Sequence, residues 1–151
     1  MNAARLLAVA LLAAVPASAD APPPRSSAPV ADDRATKDDY ALDTSATTAT
    51  LKVGGDGVFS LKIVPKNGKK VHGEAPLEIA FVDNGVVKPG KQKLGRADLK
   101  DKAAKEPEVT TTIRGVKAGA TTLDANVSFF LCTDAWCQRM SDRVQVSITV
   151  E

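Results

Sequence analysis

The sequence predicts an all-β fold, an antiparallel sandwich, and three observations carry that prediction. Six or seven short segments alternate apolar and polar residues with a period of two, as half-buried strands do. Turn signals built on Gly, Pro, Asn and Asp separate them, and β-branched residues fill them while helix formers stay sparse. A small closed barrel is the competing architecture.

The first strand predicted is Thr50 to Gly54, with Leu51 and Val53 at alternate positions before Gly54-Gly55. Gly57 to Val64 follows, placing Phe59, Leu61 and Ile63 on one face and Ser60 and Lys62 on the other. Pro65-Lys66-Asn67-Gly68 is a turn, because Pro fixes φ and Gly accepts positive φ. Pro76 to Val82 turns Leu77, Ile79 and Phe81 one way and stops at Asp83-Asn84-Gly85. Lys88 to Pro107 is dense in charge and has no aromatic; within it Asp98 to Lys105 reads as a short helix or an irregular connection. Glu108 to Arg114 sets Val109, Thr111 and Ile113 against Thr110, Thr112 and Arg114. Gly119 to Leu131 is the longest strand expected, with Leu123, Ala125, Val127, Phe129 and Leu131 on one face. Arg143 to Val150 ends the chain with Val144, Val146, Ile148 and Val150 inward.

Ahead of these strands the chain has two further parts. Arg5, the ten-residue apolar run Leu6 to Val15 and the small residues Ala17-Ser18-Ala19 read as a secretory signal over residues 1–19, cleaved after Ala19. The run is too short for a membrane span, which needs about 20 residues. Residues 20–47, opening with Pro22-Pro23-Pro24 and Pro29, are rich in Pro, Ala, Ser and charge and read as a disordered tether. Residues 48–151 remain for one domain. The expected product is periplasmic or secreted, monomeric, and not inserted in the membrane.

The net charge of +2 is spread among interspersed acids and bases, which argues against nucleic acid or an anionic membrane as partner. Lys66, Lys69 and Lys70 read as a solvated turn. No phosphate loop, serine-nucleophile motif or paired-carboxylate signature is present. His72, the sole histidine, sits beside a turn about sixty positions from the cysteines, and nothing in the sequence joins it to them. With two Cys and one His the chain has too few ligands for a structural zinc site, and Cu(I) on two thiolates finds no His or Met neighbour. No cofactor or metal is expected.

The chemistry concentrates in Phe129-Phe130-Leu131-Cys132-Thr133-Asp134-Ala135-Trp136-Cys137. Two cysteines permit one intramolecular pairing, and an exported protein keeps it. Two readings stand. In one, the Cys-x4-Cys bridge staples a hairpin end or fixes a binding loop, with Trp136 and Phe130 offered to a partner. In the other, it undergoes thiol–disulfide exchange through Cys132 and Cys137, a reaction open to an exposed bond in a tight loop. Arg139 favours a thiolate and Asp134 opposes it. Trp136 is a shield for the sulfurs, an anchor for a partner, or a core residue.

Ala118-Gly119-Ala120, the strand Leu123 to Leu131, the Cys132-Thr133-Asp134-Ala135-Trp136-Cys137 loop and the closing alternating strand resemble one known family. It is the immunoglobulin-like N-terminal domain of the thiol:disulfide interchange protein DsbD. The resemblance spans about residues 48 to 151 and is distinctive in its last third. It implies an immunoglobulin-like sandwich with Cys132 and Cys137 as a redox pair, passing electrons between a thioredoxin-like partner and other periplasmic disulfide proteins. The loop has four residues between its cysteines where that family usually has five, and Lys93-Leu94-Gly95 carries no aromatic where the family places a capping one.

Overall fold

The computed structural model describes residues 34–151; the expected signal over 1–19 and the first part of the expected tether, 20–33, lie outside the described residues. Among the described residues, ten strands form two facing sheets. They are β1 (Tyr40–Asp43), β2 (Thr50–Leu51), β3 (Asp56–Pro65), β4 (Lys70–Val71), β5 (Glu78–Phe81), β6 (Val87–Pro89), β7 (Lys93–Gly95), β8 (Glu108–Gly115), β9 (Gly119–Cys132) and β10 (Cys137–Val150). One sheet runs β1-β3-β8-β6 and the other β2-β10-β9-β5-β7, with β4 added to the edge of β9 beyond β5. All pairings are antiparallel except β2 with β10, which is parallel. The order matches the immunoglobulin-like plan, in which A-B-E-D faces C-F-G. The fold is thus an immunoglobulin-like antiparallel sandwich rather than a closed barrel.

The long alternating segments give the core. Phe59, Leu61 and Ile63 of β3 face Leu123, Ala125, Val127, Phe129 and Leu131 of β9, all at most 1% exposed. Two edge-to-face aromatic pairs bind the layers. Phe59 meets Phe81 with centroids 4.9 Å apart, and Tyr40 meets Phe129 at 5.0 Å. The turn after β3 is an Asn67-Gly68 pair with both φ positive, 54° and 72°, closed by Lys69 N–H donating to Lys66 O.

Several expectations need correction. The folded domain begins before residue 48, because Tyr40–Asp43 inside the expected tether is a strand paired with Lys62–Pro65 of β3. Its apolar signal is only Tyr40 and Leu42, too short to stand out beside the charged residues before it. Second, β10 begins at Cys137 rather than Arg143. The polar positions Gln138 and Asp142 break the alternation, yet both serve the N-terminal segment. Gln138 exchanges hydrogen bonds with the Ala35 backbone, and Asp142 accepts one from the Tyr40 hydroxyl at 2.8 Å. Third, Ser60 is buried rather than solvated, since its N–H and C=O are both bonded to Thr47 Oγ1 and its hydroxyl donates to Glu108. Fourth, the charged stretch from Lys88 supplies strand β7 and part of β6, each with only one or two inward residues. Where a helix or an irregular connection was open, a 3-10 turn at Arg96–Asp98 precedes irregular chain.

Lys69 is likewise no solvated turn residue. It meets Asp39 at 2.9 Å, the two side chains only 13% and 9% exposed. The Asn67 amide, the Thr36 N–H and Lys69 all donate to the Asp39 carboxylate and hold it well below the usual carboxylate range. A depressed folded-state value means stabilisation that is complete above the unfolded value, about pH 4, and lost as pH falls toward the folded one. Asp39→Asn should therefore lower the melting temperature by several degrees near neutrality. Followed from about pH 6 to about pH 3, its melting temperature should fall less steeply than that of wild type. Parallel curves would show that Asp39 does not anchor the segment.

Candidate functional site

Register places the site. In the β9–β10 hairpin Cys132 lies directly opposite Cys137, Phe130 opposite Arg139 and Ser128 opposite Ser141, so these residues share the outer face of the sheet. The four-residue connection closes with Thr133 N–H donating to Trp136 O, and Thr133 Oγ1 accepts from the N–H groups of Ala135 and Trp136. Cys132 and Cys137 are bonded, with Cα atoms 4.1 Å apart. That spacing suits a pair between ladder hydrogen bonds, where facing Cα atoms sit about 4.5 Å apart. Cys132 is 4% exposed while Cys137 is exposed. The bridge is neither entombed nor wholly open: one sulfur-bearing residue faces solvent and the other is covered.

On the other side of β9, Lys70 of β4 pairs with Cys132, and His72 N–H donates to Phe130 O. Alternation then sets Lys70 and His72 on the same outer face as the bridge. A ring nitrogen of His72 and the two Sγ atoms all lie within 4.8 Å of one another. The expectation that His72 stands apart from the cysteines is corrected, and so is the absence of a His neighbour for the sulfurs. Strand pairing brings it there, a long-range event that sequence spacing does not record.

The remaining predicted residues divide. Asp134 is exposed and ion-paired with Lys70 at 2.8 Å; that Lys70 contact holds its carboxyl below the usual range and offsets its repulsion of a thiolate. Arg139 is exposed and reaches diagonally across to Ser128 Oγ on β9, 3.4 Å away, rather than over the bridge. Phe130 is half-buried. Trp136 is half-buried too and packs against the core cluster, while also lining an open depression with Cys137, Gln138 and Arg34. Arg34 and His72 are the residues that sequence reasoning missed at this site. Arg34 lies in the segment read as tether, and the hydrogen bonds between Ala35 and Gln138 hold its neighbour in place.

The two halves of the bridge thus differ in surroundings, Cys137 being an exposed residue and Cys132 a buried one. Among the described residues no helix is long and apolar enough to cross a membrane.

No protein-family model matches the sequence, and no curated protein matches it. Solved structures align at low similarity. Domains 4 and 5 of the S-layer protein SbsC share 12% identity at a TM-score of 0.39, over 73% of this chain and 44% of that one. A cohesin module from a Clostridium perfringens ATCC13124 family 33 glycoside hydrolase shares 13% at 0.40, over 75% and 97%. AggA, the major subunit of aggregative adherence fimbriae type I from Escherichia coli, shares 12% at 0.41, over 78% and 99%. At these values the alignments say nothing about what this chain binds or does.

Proposed function

We propose that the domain exchanges thiols and disulfides with a partner protein of thioredoxin-like or other dithiol type, in an oxidising compartment to which residues 1–19 direct it. The observation that carries this reading is the asymmetry of the bridge, with Cys137 exposed and Cys132 buried at the turn end of a hairpin. A purely structural role explains less. The hairpin is already registered along two 14-residue strands, and closing a ring of six residues adds only about 2 kcal/mol by chain-entropy reasoning. A partner thiolate attacks Cys137 Sγ, and Trp136 with Arg34 shapes its approach.

The test uses single variants. Cys132→Ser, which leaves Cys137 free, should capture a partner as a mixed disulfide from a native extract. Cys137→Ser, which leaves only the buried Cys132, should capture several-fold less. No capture by either variant, together with a reduction potential below about −300 mV, would reduce the bridge to a staple. Loss of partner binding in the double variant would then favour a docking loop bearing Phe130 and Trp136.

A further inference from the structure

Opening the bridge at Cys137 puts a negative charge on Cys132, a residue only 4% exposed. A thiolate deprived of water is costly unless something donates to it. Lys70 lies beside Cys132 in the ladder, but its ammonium is engaged by Asp134. The histidine is differently placed. His72 Nδ1 accepts two backbone hydrogen bonds, from Glu74 N–H at 3.0 Å and Ala75 N–H at 2.9 Å. An atom meeting two donors carries no proton, so the neutral ring keeps its hydrogen on Nε2. The same turn argues against a metal ligand, because a metal-binding histidine gives its other N–H to an acceptor, whereas here the other nitrogen is itself the acceptor.

We propose that His72 is the third member of the site, its Nε2–H donating a hydrogen bond to the Cys132 thiolate when the bridge opens; this rests on the exchange reading above. In the first step a partner thiolate forms an S–S bond to Cys137 Sγ. The Cys132–Cys137 bond breaks, and its electron pair leaves on Cys132 Sγ. His72 keeps its proton and only shares it. The partner's second thiolate then attacks the partner sulfur of the mixed disulfide and releases Cys137 as thiolate. Both electrons come from the partner dithiol, which ends as a disulfide, and the two thiolates take protons from solvent as required.

His72→Asn separates this role from the turn. The asparagine Oδ1 can accept the Glu74 and Ala75 N–H groups as an Asx turn does, but its short amide does not replace Nε2. In the full-length oxidised protein, His72→Asn should keep the wild-type melting temperature. Near neutral pH it should be reduced by dithiothreitol about tenfold more slowly, the factor expected for one charge-assisted hydrogen bond. Measured above the ordinary thiol range, at about pH 9.5, its equilibrium with a glutathione buffer should shift about tenfold toward the disulfide, equivalent to about 30 mV. His72→Ala should show the same redox changes with a lower melting temperature. Wild-type rate and equilibrium in His72→Asn would overturn the proposal. So would stoichiometric Cu(I) binding by the reduced protein that is lost in His72→Asn, since it would make the ring a ligand. Both readouts use small thiols, so failure to trap a protein partner would defeat the exchange reading and leave this result legible.

Discussion

Phe129→Ala is expected to destabilise the domain by about 3–5 kcal/mol, the usual cost of emptying a buried phenylalanine site. The ring is fully buried on the central strand of its sheet and meets Tyr40 edge to face across the sandwich. Tyr40 is itself held by Asp142, so the ring edge cannot follow a retreating neighbour. The vacated volume should therefore stay largely unfilled. Urea unfolding is the measurement: the midpoint should fall while the slope is unchanged. A loss under about 1 kcal/mol would mean that the two layers close over the gap.

The second large effect concerns where the domain begins. A chain trimmed to 48–151, the limits read from sequence, lacks β1 and the buried residues Ala35, Asp39 and Tyr40, with Leu42 half-covered. Burial of Tyr40 and half of Leu42 alone contributes about 2–4 kcal/mol at ~1.5–3 kcal/mol per fully buried large side chain. Whole domains of this size are stable by only about 5–15 kcal/mol. Trimming also bares the edge of β3 and the ring of Phe129. The chain 34–151 should melt cooperatively, whereas 48–151 should melt at least ten degrees or so lower, or bind a hydrophobic dye in the cold. Equal melting temperatures would show that the segment 34–43 rests on the domain without supporting it.

Much of this architecture can be read directly from residue order. Phe59-x-Leu61-x-Ile63 and Leu123 through Leu131 alternate so strictly that a one-residue slip would expose every core side chain, so their inward faces follow without coordinates. The Asn67-Gly68 turn follows from φ preferences, and the Cys132–Cys137 bond from there being two cysteines. Other features leave no such trace. β4 offers one inward residue, Val71, and β7 one, Leu94; two or three residues give no period to detect. Gln138 and Asp142 look like solvent-facing residues because their partners, Ala35 and Tyr40, lie about a hundred positions away.

The site divides along the same line. By itself the sequence determined an all-strand fold, with a sandwich favoured over a closed barrel, the identity of its core faces and the one pairing open to its cysteines, because these depend on local alternation and on simple counting. Only the tertiary structure decided that Cys137 is exposed while Cys132 is covered, that residues 34–43 belong to the domain, and that His72 stands beside the sulfurs. Those facts depend on which strand edge meets which, and the energy that selects the pairing is spread over contacts between residues far apart in the chain.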